Sequence, residues 1–420
     1  MLSARLALVL VACGRTPPTL TDPTPIEAPS PVPVTPPAPP TPWSTSDRAV
    51  VLVSLDGFRW DYRDRAYTPT LDRLVAEGVT ADALVPVFPT KTFPNHYTQV
   101  TGLYPHEHGI VGNSFYDSEL DDSFEMGFVG TEWWGGEPIW ITAARHGRRT
   151  ATLFWPGSET AFDGLRPDAW LPFDGGMPHE DRVDQVLAWH AEPTPPHFTT
   201  LYFSDVDSAG HSYGPDSAEV IAAIEEVDAA LARLVDGLEA IGRLDDVDLL
   251  VVSDHGMADQ DRDRAVFLDD HVDPADFWIA AWGPYVTLDP RQPLQTDPLV
   301  ALADLPHATC YDATTRPAEL HFPAGPRIPP YVCLAEVGWS LTSRSYFDAT
   351  PAHLVGATHG WAPSASEMHG IFVGRGPHLA EGATHPAFSA VDLYALMTTL
   401  LDIPAAPNSG DPAATAGLLR

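Results

Sequence analysis

Three short runs place carboxylates and imidazoles just past an apolar stretch. "VLVSLDG" ends at Asp56, "TLYFSDVDSAGH" carries Asp205, Asp207 and His211, and "LLVVSDHG" ends at Asp254-His255. One Asp-Gly is an ordinary turn dipeptide. Three such ends, two of them with a nearby histidine, have the character of a metal site, because Asp oxygens and His nitrogens suit Zn2+. A further imidazole, His359 in "GATHGW", completes enough ligands for two ions. Without a cation, carboxylates gathered at one edge would repel and raise one another's pKa. Thr92, in "FPTKTFPNHYTQ", falls at the start of a predicted helix. Its hydroxyl there is either a cap or, beside a metal and at an end that favours anions, a nucleophile.

These side chains need elements that bring them together. The apolar runs predict strands over 49–55, 150–154, 198–203, 247–253 and 370–374. Between them lie helical patterns over 70–78, 95–104, 137–146, 181–190, 216–241 and 390–401. The long pattern carries Val220, Ile224, Val227, Leu231, Leu234 and Leu238 at helical period. Strands alternating with helices predict an α/β fold with a mostly parallel central sheet flanked by helices. In such a sheet ligands bind beyond the carboxyl ends of the strands, where the three carboxylate runs would meet. The stretch 262–358, rich in Pro, Asp and aromatics, reads as an insertion or cap.

Seven segments carry a family resemblance: "LDGFRWDY", "PTKTFPNHYTQVTGLYPHEHGIVGN", "GEPIW", "FWPGSE", "DVDSAGHSYGP", "VSDHGM" and "THG". In kind and order they resemble a nucleotide pyrophosphatase/phosphodiesterase (type I phosphodiesterase) of the alkaline phosphatase superfamily, read here as a bacterial member. The resemblance implies an alkaline-phosphatase-like fold and two Zn2+ ions. It implies that Asp56, Asp254 and His255 hold one ion with the Thr92 oxygen, and that Asp207, His211 and His359 hold the other. Thr92 would be the nucleophile, passing through a phospho-threonine, and Asn113 would donate to a phosphate oxygen. Phe93 and Phe173 would sandwich a nucleobase, with Phe173 standing where Tyr is usual. The implied activity is zinc-dependent hydrolysis of phosphodiester or pyrophosphate bonds in nucleotides, releasing a nucleoside 5′-monophosphate. Related zinc enzymes acting on lipid-derived or other esters, and a non-catalytic surface-binding protein, are the alternatives.

Other residues near the motifs keep two readings. Lys91 is either a solvated charge or a phosphate ligand. Trp155, Trp170 and Phe173 are either core or a substrate platform. His96, His106, His108 and His369 read as structural or surface histidines, and Asp205 as an outer support at most.

The chain has 420 residues and a formal net charge of -34, which disfavours a stable nucleic-acid complex but admits a small anionic substrate beside bound cations. Residues 1–13 read as an export segment. Leu10-Val11-Ala12-Cys13 resembles a bacterial lipobox, so lipid anchoring to a bacterial membrane through Cys13 is expected, with a soluble periplasmic or secreted form as the alternative. Residues 14–47, dominated by Pro and Thr, predict an extended linker. The enzyme-like domain then runs over 48–405 and a C-terminal tail over 406–420. Cys310 and Cys333 are either a disulfide, as an oxidising compartment would favour, or two buried thiols.

Overall fold

The computed structural model describes residues 48–420 apart from 352 and 353. The lipobox-like run and the linker lie outside the described residues. The elements that position the site are, in chain order, β1 (Ala49–Leu55), α1 (Pro69–Glu77), β2 (Val79–Ala81), α2 (Thr92–Thr101), α3 (Ile139–Arg145), β3 (Thr150–Leu153), β4 (Ala169–Leu171), α4 (His179–His190), β5 (Phe198–Phe203), α5 (Asp205–Tyr213), α6 (Ala218–Ala240), β6 (Val247–Val252), β7 (Phe372–Arg375), β8 (Ala383–His385) and α7 (Leu393–Leu401).

The strands form one eight-stranded sheet in the order β8-β2-β7-β6-β1-β5-β3-β4. β6, β1, β5, β3 and β4 pair in parallel. β7 runs antiparallel to both β6 and β2. The expected mostly parallel α/β sheet is therefore the architecture found. β1, β5 and β6 are buried at every position, which is why they read as unbroken apolar runs rather than alternating ones. Helices cover both faces. The apolar stripe of α6 predicted from its period is buried against the sheet, each such side chain stabilising the fold by about 1.5–3 kcal/mol.

Register matters more to function than burial. Ser54 of β1 pairs with Tyr202 of β5 and with Val252 of β6. The three central strands thus end nearly level, and the residues after them share one edge.

Two local departures from the sequence reading have physical causes. α2 begins at Thr92 rather than at 95, because Pro94 is compatible with the first helical turn, where its missing N–H is not needed. α5 is absent from the helical patterns of the sequence, since Ser208, Gly210 and two aspartates are poor helix formers. As a helix it places Asp207 and His211, four apart, on one face.

Within 262–358 a separate antiparallel sheet pairs Phe277–Trp278, Tyr285–Pro290, Tyr331–Ala335 and Ala308–Tyr311 in that spatial order. It has its own apolar cluster, including Val286, Leu288, Leu302 and Trp361. Cys310 and Cys333 oppose one another in this sheet and are joined by a disulfide. Near the C-terminus, Leu418 is fully buried in the large cluster that also holds α7. Among the described residues no helix is long and apolar enough to cross a membrane.

Candidate active site

The carboxylates at the strand ends are brought together by backbone as well as by side chains. The Asp56 N–H donates to the Phe203 carbonyl (2.9 Å) and the Asp207 N–H to the Asp56 carbonyl (3.1 Å). Gly57 has φ +70°, and a Cβ there would lie 2.9 Å from Cα of Asp207. Only glycine allows both that backbone conformation and that approach. The Asp-Gly pair is a turn, and the turn is what sets Asp56 against Asp207.

Three carboxylate oxygens in this edge are buried without a hydrogen-bond partner: Asp56 Oδ1, Asp207 Oδ1 and Asp254 Oδ2. All three face imidazole Nε2 atoms. His255 Nε2 lies 3.5 Å from Asp56 Oδ1 and 3.0 Å from Asp254 Oδ2. His211 Nε2 and His359 Nε2 lie 3.4 and 3.7 Å from Asp207 Oδ1. In each of these histidines the other nitrogen is taken by a backbone carbonyl. His211 Nδ1 donates to Ala357 (3.0 Å), His255 Nδ1 to Gly256 (2.9 Å) and His359 Nδ1 to Thr90 (2.7 Å). That arrangement leaves Nε2 as a bare lone pair directed at the carboxylates, as in metal-binding histidines.

The donor set therefore fits metal ions. Asp207, His211 and His359 form one group whose ligand atoms lie within 4.8 Å of one another; Asp56 with Asp207 and His255 forms a second, and Asp56 with His96 and Asp254 a third that shares Asp56 with it. The electrostatics agree. Burial, and then the charges of Asp254 and Asp207, push the Asp56 carboxyl well above its ordinary range. A divalent cation removes that penalty by favouring the ionised form. Three bare carboxylate oxygens and three bare imidazole nitrogens make two centres suited to Zn2+.

Thr92 begins α2, but its hydroxyl caps nothing: the N-cap position is Lys91 and no side-chain cap bond is made there. Thr92 Oγ1 instead lies 3.4 Å from His255 Nε2. Asn113 accepts the Phe93 N–H on its Oδ1 (3.0 Å), which commits the oxygen and leaves the amide donors for another acceptor. Lys91 is not a solvated charge. Its Nζ donates to the His359 carbonyl (2.6 Å), and burial lowers its pKa to about 8. Asp205 is paired with His179 (2.9 Å), apart from the metal groups. His106 and His369 bond backbone carbonyls.

Two further residues belong to the site: His96, which the sequence offers as a structural or surface histidine, and Tyr202, which it does not single out. His96 is fully buried, with Nε2 2.8 Å from Ser54 Oγ and Nδ1 2.9 Å from the Thr92 carbonyl and 3.3 Å from Asp254 Oδ2. Both nitrogens are engaged, so it braces Thr92 against Asp254 rather than presenting a lone pair. Its position four residues after Thr92, one helical turn on, was the available signal. Tyr202 donates its phenol O–H to Asp56 Oδ2 (2.6 Å). It sits in an apolar strand run, where nothing in the sequence distinguishes it from core.

Thr92 and Asp56 open into a cavity of about 490 Å3. Phe93, Trp155 and Phe173 line it, as does Asn113, whereas Lys91 and Trp170 do not. Trp155 is buried and donates its indole N–H to the His96 carbonyl (3.0 Å). Phe173 is 57% exposed. The loop residues Met126, Phe128 and Val129, also exposed, form a further apolar wall that the sequence reading missed.

Residues 50–362 match the family model described as type I phosphodiesterase/nucleotide pyrophosphatase. The chain belongs to this family. It is 34% identical over 400 residues to human ectonucleotide pyrophosphatase/phosphodiesterase family member 1, an alignment covering 88% of this chain and 42% of that protein. To human family member 5 it is 32% identical over 366 residues, covering 86% of this chain and 76% of the relative. The chain spans less than half the length of several of the curated relatives it matches. A structure of murine family member 5, an inactive threonine-to-alanine variant in complex with AMP, superposes with a TM-score of 0.84 at 32% identity, covering 89% of this chain and all of that one.

These family relatives correct two expectations. The chain was read as a bacterial member, and Cys13 as a lipid anchor to a bacterial membrane. Human family members 1 and 5 and murine family member 5, each matched over most of the chain, are vertebrate proteins. Four residues around Cys13 are too short a pattern to weigh against similarity extending over hundreds of positions.

Proposed function

We propose that this chain hydrolyses phosphodiester or pyrophosphate bonds in nucleotides, releasing a nucleoside 5′-monophosphate through a phospho-threonine. The observation that carries this reading is the Thr92 hydroxyl: it caps no helix and stands 3.4 Å from His255 Nε2, at the floor of an aromatic-walled cavity. Asp56, Asp254 and His255 with the Thr92 oxygen would hold one Zn2+, and Asp207, His211 and His359 the other. When bound, the two ions supply positive charge that acidifies the Thr92 hydroxyl and offsets the phosphate oxygens.

The chain's own residues do the rest. α2 holds Thr92 Oγ1 so that it attacks phosphorus in line with the leaving oxygen. The Thr92 proton passes to solvent, the new P–O bond forms as the bond to the leaving oxygen breaks, and that oxygen departs with the bonding pair. Asn113, its Oδ1 committed to the Phe93 N–H, donates through its amide to a non-bridging oxygen. Phe93 and the exposed Phe173 flank the nucleobase, and Trp155 backs the same wall. Lys91 acts indirectly, by holding the His359 carbonyl. Water then cleaves the phospho-threonine and returns Thr92. The murine relative, inactive as a threonine-to-alanine variant and complexed with AMP, supports both the nucleophile and the product class. We assign this unit to 48–405, with 262–358 as an inserted cap, and the segment 406–420 packs onto it through Leu418.

A second reading rests on Met126, Phe128 and Val129: an exposed apolar wall would also accept a lipid-derived or other apolar ester. A panel separates the two. We expect a nucleoside 5′-p-nitrophenyl ester to be cleaved with higher kcat/KM than bis-p-nitrophenyl phosphate, a choline phosphodiester or a phosphomonoester. Preference for the choline diester or the monoester overturns the nucleotide reading.

A further inference from the structure

Arg182 of α4 is only 2% exposed, and among the described residues it makes no carboxylate ion pair, the charge of Asp205 acting on it only from a distance. Burying an unpaired charge is costly unless its donors are fully used. Here three donors reach three backbone carbonyls: Nε to Met177 (2.9 Å), Nη2 to Gly175 (3.2 Å) and Nη1 to Tyr202 (3.0 Å). The first two belong to the loop between β4 and α4 that carries Phe173. The third is the strand residue whose phenol holds Asp56.

The same guanidinium lies over the ring of Phe154, 5.3 Å from its centroid. Phe154 meets Phe173 edge-on at 5.4 Å. Its backbone has φ +61°, a conformation that a bulky L residue adopts only where its surroundings impose it. Phe173 itself is 57% exposed; besides Phe154 it meets the Tyr202 ring edge-on at 6.2 Å, and its N–H donates to Glu159 Oε1 (3.0 Å).

We propose that Arg182 is a positioning residue for substrate specificity: it fixes the Phe173 loop and the Phe154 ring relative to β5, and so sets the wall on which an aromatic ester group stacks. The inference rests on the reading of Phe173 as one side of the nucleobase site. Arg182 touches neither the metal groups nor the reacting atoms, and it meets Tyr202 at the backbone carbonyl rather than at the phenol that holds Asp56, so its loss acts first on the binding of the ester group.

The test uses the full chain with Arg182→Lys and Arg182→Met, assayed on a nucleoside 5′-p-nitrophenyl ester and on methyl p-nitrophenyl phosphate, which has no base to stack. Stacking of one base on an aromatic wall is worth enough that KM for the nucleoside ester should rise by about tenfold in Arg182→Met, with kcat within about threefold. Arg182→Lys, which keeps the charge with fewer directed donors, should fall between that variant and wild type. For the methyl ester, kcat/KM should stay within about threefold, and inhibition by AMP should weaken in step with the nucleoside KM. Equal loss on both esters, or no change on either, overturns the proposal. Phe173→Ala in the same assay tells the two readings apart. If it raises the nucleoside KM while the Arg182 variants do not, the positioning role fails and the wall stands. If it leaves the nucleoside KM unchanged, the wall itself is wrong.

Discussion

The phenol oxygen of Tyr202 lies 2.6 Å from Oδ2 of Asp56, while Oδ1 of the same carboxylate is buried with no hydrogen-bond partner. One oxygen is tethered to β5 and the other is left for a cation. Burial, and then the Asp56 charge, hold the Tyr202 phenol well above its ordinary pKa, so it remains a donor. Tyr202→Phe removes only that tether. Outer partners of this kind are worth about 10- to 100-fold in metal affinity, and a loss in that range is expected for Zn2+ in a competition titration. Unchanged affinity would show that Asp56 is held by its backbone alone.

Zinc removal should abolish hydrolysis, and adding Zn2+ back should restore it. The apoprotein should also melt at a lower temperature, because the carboxylates around Asp56 then repel without compensation. Saturation at about a hundred times Kd would contribute ~2.7 kcal/mol. His359→Ala should lower the bound zinc from two ions to one by elemental analysis. Full activity in metal-depleted protein contradicts the assignment.

Thr92→Ala should keep its fold, since the hydroxyl makes no cap bond, yet lose turnover by several orders of magnitude. Thr92→Ser should retain part of the activity. Quenching wild type with labelled substrate should leave phosphate on Thr92 alone. A Thr92→Ala protein that hydrolyses at near the wild-type rate removes the covalent mechanism.

Acid should destabilise the fold through two buried histidines outside the metal groups. Burial lowers the pKa of both His108 and His190 to about 3. His108 accepts the Ile110 N–H on Nδ1 (3.1 Å), a bond that protonation would destroy. In the unfolded chain each would titrate near ~6.5. Between the two values the unfolded state binds more protons, so stability is intact above ~6.5 and falls toward pH 3, by up to about 1.4 kcal/mol per pH unit per histidine. Melting temperatures measured from pH 7 to 4 should drop accordingly, and His190→Gln should flatten the slope. A pH-independent melting temperature over that range rules the effect out.

The sequence by itself determined the α/β alternation, the apolar strands and the residue types that crowd their ends. Strand periodicity and the Asp56, Asp254-His255 and Asp207–His211 runs are local facts, and local facts survive in one dimension. Cys310 and Cys333 were legible as a pair but not as a bond until their strands opposed one another. Only the tertiary structure decided what the side chains face. The level register of β1, β5 and β6 brings Asp56, Asp207 and Asp254 to one edge. Backbone carbonyls, from the remote Ala357 and Thr90 for His211 and His359 and from the adjoining Gly256 for His255, fix which nitrogen of each is bare. His96, Tyr202 and Arg182 look like core or surface in the sequence, because His96 meets Ser54 and Asp254, and Tyr202 meets Asp56, across long separations, while the nearer contacts of Arg182 depend on the course of a loop. Hydrogen-bond geometry of that range is set by packing, and no periodicity along the chain records it.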